Sequence, residues 1–595
     1  MDGREREFDI IVVGSGAAGM TAALTAAHTG LSAVVVEKAG AFGGSTARSG
    51  GNVWVPGNDA LRRAGVGGTV DEALAYLAHV AGDGVPVARQ RALIAHGPAM
   101  LSFVEANTRL RFRWVPNYSD YYPEAPGGTA EGRTVEPRPL DARVLGPELE
   151  HLARPYLAVP ASVTITAADY RWLSLGTRHP RAVSTAARVA ARGVLSRALR
   201  RRMLSMGQAL AAGLRAGLAS AGVPVWLNAP LTGLHEDGAG RVTGVRVERD
   251  GGEVLLRARR GVLLASGGFE HNEQMRQRHQ RAPVGTQWTV GAPGNTGDGI
   301  EAGQRLGAAL DLMDDAWWGP SIPLGNGVYF CLAERSLPGC ILVNAAGERF
   351  VNEAAPYVDA VRAMYDNHTA AVPHIPAWLI ADQRYRDRYL FAGRGPRQPL
   401  PRRWYESGVA HRAATLAELA GRTGLPAGGL AATVDRFNGF ARAGRDGDFH
   451  RGDSVYDRYY GDPRNRPNPC LGPLSKPPFY AIQIVPGDLG TKGGLRTDER
   501  ARALRPDGTP IPGLYAAGNA SAAVMGRSYA GAGATIGPAM TFGYLAALDM
   551  AGRQPPSPPV TGHDPRGPAD IWSAGSRHLA AGAPPVSLPL PPAPP

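Results

Sequence analysis

The 595-residue chain is poor in residue types that several functional classes require. It has three cysteines, Cys331, Cys340 and Cys470, and their spacing matches neither a metal site nor a C-x-x-C redox pair. Such low cysteine usage is typical of a reducing compartment, so we expect a cytoplasmic protein. No apolar run reaches the length of about 18 residues that a membrane span needs. The polar start MDGREREFD also lacks the apolar core of a secretory signal.

Lysine is scarce as well, since only Lys38, Lys476 and Lys492 occur among the 64 basic residues. The net charge of +12 therefore reflects a bias towards arginine, and the arginines are interspersed with acids along most of the chain. No nucleic-acid-binding motif accompanies this charge, so we expect no nucleic-acid partner. The 14 histidines are scattered and form no H-E-x-x-H pattern, so we also expect no metal site.

What the chain does contain is a complete nucleotide-binding unit near its start. The apolar run FDIIVV leads into Gly14, Gly16 and Gly19, which form G-x-G-x-x-G, and an alanine-rich helical stretch follows. A second apolar run, Ala33–Val36, ends in Glu37. The glycines permit a tight turn, a close approach to a pyrophosphate and helix–strand packing, and the acid can accept a ribose hydroxyl. This arrangement predicts a dinucleotide site at a helix N-terminus.

Further strand-to-glycine transitions indicate an α/β fold with a divided nucleotide domain. GVLLASGGF and the distant GLYAAGN each read as a buried strand that ends in a glycine loop, and a helix is predicted from Ile536. We therefore predict a split Rossmann-like domain over residues 1–279 and 486–553. An inserted α+β catalytic domain is expected over 280–485, with CILVNAAGERFVN as strand–turn–strand and LAELAGRTGLPAGGLAATVDRFNGFARAG as two helices. The proline-rich residues 554–595 are predicted to be a disordered tail.

One basic segment, residues 178–205, stands apart from the rest of the nucleotide domain. Residues 181–204 of this segment, RAVSTAARVAARGVLSRALRRRML, combine valine and leucine with clustered arginines. As a helix it is either a basic amphipathic element that lies on an anionic membrane or an ordinary surface helix with solvated arginines.

The motifs VVGSGAAG, VVVEKAGAFGGSTARSGG and GLYAAGN resemble those of the fumarate reductase and ketosteroid dehydrogenase family of flavoproteins. The resemblance extends to about residue 553 and implies FAD as the cofactor. A histidine that carries covalent FAD in some relatives is replaced here by Ser45, so we expect non-covalent FAD. The resemblance implies FAD contacts from Gly14, Ser15, Gly16, Ala17, Ala18, Gly19, Glu37, Lys38, Gly43, Gly44, Ser45, Thr46, Ser49, Gly50, Gly51, Ala265, Ser266, Gly267, Gly268, Asp298, Gly518, Asn519, Gly533, Ala534 and Ile536.

Within that family, YSDYYPEAP, RFVNEAAPY and GRSYAGAGATIG resemble segments of the 3-ketosteroid 1-dehydrogenases. The resemblance assigns catalytic roles to Tyr121, Tyr357, Tyr529 and the backbone N–H of Gly533. Tyr118 and Tyr122 are close rivals of Tyr121, because a shift of register would exchange them. Tyr329 is a weaker candidate for the pocket wall.

The chemistry implied by the resemblance needs these groups. Desaturation of C1–C2 in a 3-ketosteroid removes a C2 proton and a C1 hydride, and the enolate oxygen that develops must be stabilised. Tyr529 and the Gly533 N–H can donate to that oxygen. Tyr357, assisted by Tyr121, can take the proton, and flavin N5 takes the hydride. The electrons would then pass to an external acceptor such as a quinone.

Three alternatives remain open at this point. A dicarboxylate reductase of the fumarate reductase type usually carries a His-x-Thr-x-Gly-Gly sequence, whereas Asp488–Gly494 contains no histidine. A ketosteroid dehydrogenase that acts at C4–C5 would share most motifs. A flavin-binding protein without turnover, docked to a membrane through residues 181–204, would not need the three tyrosines.

Overall fold

The structure is a computed structural model, and it describes residues 5–156, 163–325 and 327–556. The α-helices are α1 Ala17–His28, α2 Gly44–Arg48, α3 Asp59–Arg63, α4 Val70–Ala81, α5 Val87–Asn107, α6 Ala167–Leu173, α7 Pro180–Ala198, α8 Met206–Ser220, α9 Glu273–His279, α10 Asp298–Arg305, α11 Tyr357–Asp366, α12 Gln383–Arg388, α13 Arg402–Glu406, α14 Leu416–Thr423, α15 Ala427–Ala443, α16 Val455–Tyr459 and α17 Ile536–Met550. The strands are β1 Glu5–Val13, β2 Ala33–Val36, β3 Val53–Trp54, β4 Phe112–Trp114, β5 Thr134–Pro137, β6 Leu140–Asp141, β7 Met203–Leu204, β8 Val225–Trp226, β9 Leu231–Glu236, β10 Val242–Arg249, β11 Gly252–Leu264, β12 Leu310–Asp311, β13 Ala316–Leu324, β14 Gly327–Phe330, β15 Cys340–Val343, β16 Ala377–Asp382, β17 Ala410–Ala413, β18 Phe479–Thr491, β19 Gly494–Leu495, β20 Arg502–Leu504 and β21 Pro510–Ala516.

The first large sheet joins both ends of the described chain. Its strand order is β20-β21-β11-β1-β2-β8, with β10 and β9 added through β11. The pairs β21–β11, β11–β1, β1–β2 and β2–β8 are parallel, so the carboxyl ends of these strands lie at one edge of the sheet. The apolar residues of β1, β2 and β11 pack on α1 and α17, which covers one face with helix as expected for a doubly wound sheet. The α/β fold predicted from the sequence is confirmed.

A second, antiparallel sheet is built from the middle of the chain. Its order is β14-β13-β18-β16-β15, with β17 paired to β18. Helices α14 and α15 match the two helices predicted in this region. Strand β18 runs without interruption from Phe479 to Thr491, through the predicted boundary at 486. The exact domain bounds remain a prediction.

Two local predictions need correction. The predicted second strand of CILVNAAGERFVN is not formed, because only an isolated bridge joins Val343 to Arg349. Arg349 instead turns inward to form buried ion pairs with Glu353 and Asp446. The basic helix α7 ends at Ala198, earlier than predicted, and the chain then enters the short strand β7. Of the predicted disordered tail, residues 557–595 lie outside the described residues.

In the part of the chain that the structure describes, no helix combines the length and apolarity needed to cross a bilayer. The three cysteines are buried and unpaired by disulfides.

Candidate functional site

The first glycine loop connects β1 to α1 at the carboxyl edge of the first sheet. Gly14 has a φ of +108°, and a Cβ there would lie 2.3 Å from the carbonyl oxygen of Ala265. A Cβ on Gly19 would lie 2.0 Å from the oxygen of Gly14, which explains the requirement for glycine where the helix crosses the strand. Around Gly16, by contrast, the nearest atom to such a Cβ is the Thr46 hydroxyl at 3.7 Å. The backbone is thus tightly packed on one side and open on the other.

Glu37 lies at the end of β2, next to this loop. Its carboxylate accepts hydrogen bonds from the backbone N–H and the hydroxyl of Ser15, the latter at 2.6 Å, and from the N–H of Ala39 at 2.9 Å. These bonds hold the acid in place before any ribose binds. Ser15 also links the strand end to Gly43, whose N–H donates to its hydroxyl at 3.1 Å.

The second loop, with Gly43, Gly44 and Ser45, is held against the segment before α10. The Ser45 hydroxyl accepts hydrogen bonds from the N–H of Ala292 and the side-chain amide of Asn295. Lys38 forms an ion pair of 2.6 Å with Asp298, the first residue of α10. The sequence-predicted residues of this region therefore lie together, although they are separated by some 250 positions along the chain.

The remaining predicted cofactor residues lie at the carboxyl ends of β11 and β21. Ala265 begins the loop after β11, and the hydroxyl of Ser266 is buried without a partner among the described residues. Gly518 and Asn519 follow β21 after Ala517, and the Asn519 side chain accepts a hydrogen bond from Trp317 at 3.1 Å.

The residues at this edge fit the diphosphate of a dinucleotide. The Thr46 hydroxyl accepts the N–H of Ala17 at the start of α1 at 3.0 Å. Helices α1, α2 and α17 begin at this edge, none has an acidic residue in its first turn, and none has an N-cap side chain that bonds its first turn. Their free N–H groups and positive dipole ends favour an anion. A Cβ on Gly44 or Gly50 would meet no atom within 4 Å, so space remains beside the loop.

The structure brings together three tyrosines that are far apart in the sequence. Tyr121 stacks on Tyr529 with ring centroids 5.2 Å apart, and Tyr357 meets both rings edge-on at 5.4 Å. The hydroxyl of Tyr121 donates to that of Tyr357 at 3.1 Å. All three side chains are buried. We call this group the tyrosine cluster.

A buried ion network fixes Tyr357, which is the first residue of α11. Arg349 bonds Glu353 and Asp446, each at 2.8 Å, and Arg451 bonds Glu353 at 3.0 Å. Arg335 donates to the carbonyl oxygens of Glu353 and Ala355. These contacts hold the backbone just before the helix and so help to fix the position at which Tyr357 begins α11.

Lys492 fixes the loop that carries Tyr529. Its fully buried ammonium donates to Asp315 at 3.1 Å and to the carbonyl oxygens of Arg527 and Ser528 at 2.7 and 3.1 Å. It also lies 4.9 Å from the ring centre of Trp317, whose edge contacts Tyr529. The three N–H groups of the Lys492 ammonium thus meet three oxygen acceptors, which the compact shape of this group allows. Burial lowers the pKa of Lys492 to about 8, and Asp315 opposes this shift.

Gly533 has a φ of +92°, and a Cβ there would lie 2.4 Å from the carbonyl carbon of Asn52. Its carbonyl oxygen accepts a hydrogen bond from Trp54, whereas its N–H has no acceptor among the described residues. Two positions on, the hydroxyl of Thr535 lies 2.8 Å from that of Tyr529. A free backbone donor and a phenol thus belong to one tight loop.

Burial dominates the acid–base properties of the tyrosine cluster. It raises the pKa of Tyr357 well above the usual value, and the hydrogen bond from Tyr121 acts in the opposite direction. Burial also raises the pKa of Tyr529, which the hydrogen bond to Thr535 lowers. Tyr529 is therefore suited to donate a hydrogen bond as a neutral phenol, while Tyr357 needs its donor to act as a base.

The neighbouring tyrosines occupy other positions. Tyr122 donates to Asp359 at 3.0 Å, so Tyr121 is the member of this segment that contacts Tyr357. Tyr329 points away, with its hydroxyl on Glu334 at 2.7 Å, and the adjacent Phe330 packs on Tyr357 instead.

Sequence reasoning missed several side chains that contact the cluster. They are Trp317, Phe330 and Thr535. Thr535 lies within the GRSYAGAGATIG motif, six positions after Tyr529, and could have been found as its partner. The direction of the other two depends on the sheet, and no sequence signal distinguishes them.

Comparisons with known proteins agree with this geometry. Residues 9–536 match the family described as FAD binding domain. The chain is 57% identical over 556 residues to a 3-oxosteroid 1-dehydrogenase of Mycolicibacterium smegmatis, covering 92% of this chain and 97% of that protein. It is 58% identical to one of Mycobacterium tuberculosis, covering 92% and 98%. A solved 3-ketosteroid delta1-dehydrogenase of Sterolibacterium denitrificans, in complex with 1,4-androstadiene-3,17-dione, superposes with a TM-score of 0.88 at 42% identity, covering 92% of this chain and all of that one.

Proposed function

Because the chain belongs to the family of FAD-dependent 3-oxosteroid 1-dehydrogenases, we propose that it introduces the C1–C2 double bond into ring A of 3-ketosteroids. The observation that carries this proposal is the tyrosine cluster beside the Gly533 loop. It combines a phenol base with its own donor, a second phenol and a free backbone N–H. A role in steroid breakdown follows from this activity.

Each group has one task in the reaction. Tyr529 and the N–H of Gly533 donate to the C3 carbonyl oxygen, which stabilises the charge that develops when C2 loses a proton. Tyr357 takes that proton as a phenolate, which the hydrogen bond from Tyr121 stabilises, and becomes a neutral phenol. FAD, when bound, would accept the hydride that leaves C1. Burial of the cluster excludes water, so the enolate is held by these donors alone.

We propose non-covalent FAD held by the predicted glycine loops. Ser45 has no nucleophilic nitrogen for a histidyl link, and its hydroxyl is already bonded to Ala292 and Asn295. Glu37 is placed to accept a ribose hydroxyl, and the N-termini of α1, α2 and α17 suit the diphosphate. We propose that the FAD-binding part comprises residues 1–279 and 486–553 and the inserted catalytic part 280–485, with β18 crossing from one part into the other.

The dicarboxylate alternative finds little support in the charges near the cluster. Such a substrate needs free cations, but Lys492 pairs with Asp315 and Arg335 donates to two backbone carbonyls. The segment Asp488–Gly494 also lacks the histidine usual in that group.

Incubation of the FAD-loaded protein with androst-4-ene-3,17-dione and an artificial electron acceptor tests the proposed function. We expect steroid-dependent dye reduction and a product lighter by two hydrogens, with the new double bond at C1–C2. No steroid-dependent turnover, or reduction of fumarate in place of steroid oxidation, would contradict the proposal. Conversion of a saturated ring A substrate to a C4–C5 alkene alone would favour the C4–C5 alternative.

The electrons must leave reduced FAD for an external acceptor. Among the described residues no group of three or more His, Cys, Asp or Glu could hold a metal ion that relays them. We propose a lipid-soluble quinone as that acceptor and a cytoplasmic protein that contacts the inner face of the membrane.

Helix α7 supplies a surface for that contact. Within the described residues six large apolar side chains are strongly exposed, and four of them are Val183, Val194, Leu195 and Leu199. Arg188 and Arg192 turn back to the buried Asp169, which ties the helix to α6. The apolar side chains therefore face outward beside the arginines that end the segment, an arrangement that suits an anionic bilayer.

Replacing Val194, Leu195 and Leu199 by aspartate should release the protein from vesicles that contain phosphatidylserine. Three apolar side chains lose their burial in lipid, so we expect at least about tenfold weaker binding in a sedimentation assay. Val87→Asp is the matched control, because Val87 is equally exposed on α5 outside the basic segment. Equal binding of the triple variant and the parent would end the membrane proposal and leave the enzymatic proposal intact.

A further inference from the structure

A row of phenol hydroxyls leads away from Tyr357 into the protein interior. Tyr121 donates to Tyr357 at 3.1 Å, the hydroxyls of Tyr118 and Tyr121 lie 3.5 Å apart, and Tyr460 donates to Tyr118 at 3.2 Å. Each of the four side chains is 4% exposed or less. Because the side chains are shielded from solvent, water does not replace the phenol partners of these hydroxyls along most of the row.

The direction of the hydrogen bonds follows from counting protons. A phenol carries one hydrogen, and the hydrogen of Tyr121 is used on Tyr357. In the contact between Tyr118 and Tyr121 the donor must then be Tyr118, whose own oxygen accepts from Tyr460. All three hydrogens consequently point towards Tyr357, which is the terminal acceptor of the row.

We propose that Tyr118 and Tyr460 are positioning residues that act through Tyr121 to hold a one-directional hydroxyl chain and so favour the phenolate form of Tyr357. The inference rests on the proposed function, in which Tyr357 is the base. A negative charge at the end of a chain of hydrogen bonds polarises every link, so distant donors contribute to its stability. Charge-assisted bonds are also stronger than neutral ones, which makes the chain favour the charged state over the neutral state.

Other titratable and charged groups also surround the chain. They are Tyr170, Tyr456, Tyr459 and Tyr529, with Arg171, Arg335, Asp359 and Asp457 beyond them. Burial raises the pKa of Tyr118 and the pKa of Tyr357, and in each case hydrogen bonds from the row oppose the shift. Removal of a donor should therefore raise the pKa of Tyr357 further. Because Tyr357 acts as a phenolate, activity should be lost more at low pH than at high pH.

Tyr456 offers a matched control within the same aromatic group. Its ring lies 4.7 Å from that of Tyr121, but its buried hydroxyl has no partner among the described residues. Tyr456→Phe thus removes a phenol oxygen near the chain without removing a link.

The test compares FAD-loaded Tyr118→Phe, Tyr460→Phe and Tyr456→Phe with the parent. For each, kcat/KM for androst-4-ene-3,17-dione is measured from about pH 6 to about pH 10, where the rising limb follows the fraction of the base that is phenolate. We expect Tyr118→Phe and Tyr460→Phe to lose about three- to tenfold near neutral pH, with the rising limb moved to higher pH and activity recovered as the pH rises. Tyr456→Phe should keep the parent profile.

A rising limb at the same pH in the parent and in both chain variants would overturn the inference, whatever the loss of activity, because packing damage does not move the limb. An equal shift in Tyr456→Phe would overturn it as well. FAD content and circular dichroism identify a variant that misfolds. If Tyr118→Phe misfolds, the pH profile of Tyr460→Phe, two links from Tyr121, decides alone. If the parent itself desaturates no steroid, the proposed function fails; if only the profiles fail to separate, this inference alone is wrong.

Discussion

Tyr357→Phe should lower kcat by about 10²- to 10⁴-fold, the contribution expected of a positioned general base. The ring contacts with Tyr121 and Phe330 survive the substitution, but no group remains to take the C2 proton. Flavin absorbance and steroid binding should stay close to those of the parent, because neither depends on the lost hydroxyl. Stopped-flow reduction of the FAD-loaded enzyme by steroid measures the effect directly.

The matched control is Tyr365→Phe on the same helix. Its hydroxyl donates to the carbonyl of Pro283, away from the tyrosine cluster, so kcat should change less than about threefold. A second readout is exchange of the C2 hydrogens with deuterium from solvent, which should stop in Tyr357→Phe. Continued exchange at the parent rate would show that another residue removes the proton.

Tyr529→Phe should lower kcat by about 10²- to 10³-fold, since it removes one of the two donors to the developing enolate oxygen. The remaining N–H of Gly533 keeps part of the stabilisation, so a residual rate should be measurable. KM should change less than kcat, because the bond is stronger to the enolate than to the neutral ketone. Steady-state kinetics with a 3-ketosteroid separates the two parameters.

Tyr544→Phe serves as the control for Tyr529, because its ring packs on Phe103 in α5 and no hydrogen bond to its hydroxyl occurs among the described residues. The absorbance of bound FAD should be unchanged in both variants. If Tyr529→Phe instead raised KM strongly with kcat preserved, the phenol would serve substrate binding and not the transition state.

The elements around the nucleotide site could be predicted because their signals are local. Strand β1, the glycine loop, helix α1 and strand β2 follow directly from FDIIVV, G-x-G-x-x-G and Ala33–Val36. Each glycine has a reason that depends on its immediate neighbours, as at Gly14 and Gly19. The three tyrosines of the cluster were found by resemblance, since nothing in their local sequence distinguishes them from other buried tyrosines.

What could not be predicted depends on long-range packing. FVN reads as a strand by composition, but Arg349 is drawn into the ion network with Glu353 and Asp446. Alternation along β14 puts Tyr329 and Phe330 on opposite faces, and only the paired strand β13 decides which face meets Tyr357. Lys492 is similar, because its three acceptors come from two separate segments.

The scarcity of lysine and the burial of Lys492 together have a practical consequence for handling the protein. Lys492 is shielded from reagents and Lys38 is engaged by Asp298, whereas 54% of the Lys476 side chain is accessible. Among the lysines, amine-directed coupling to a resin or electrode would therefore attach the molecule mainly through Lys476. Such a tether would give a nearly uniform orientation and leave the catalytic loops chemically untouched.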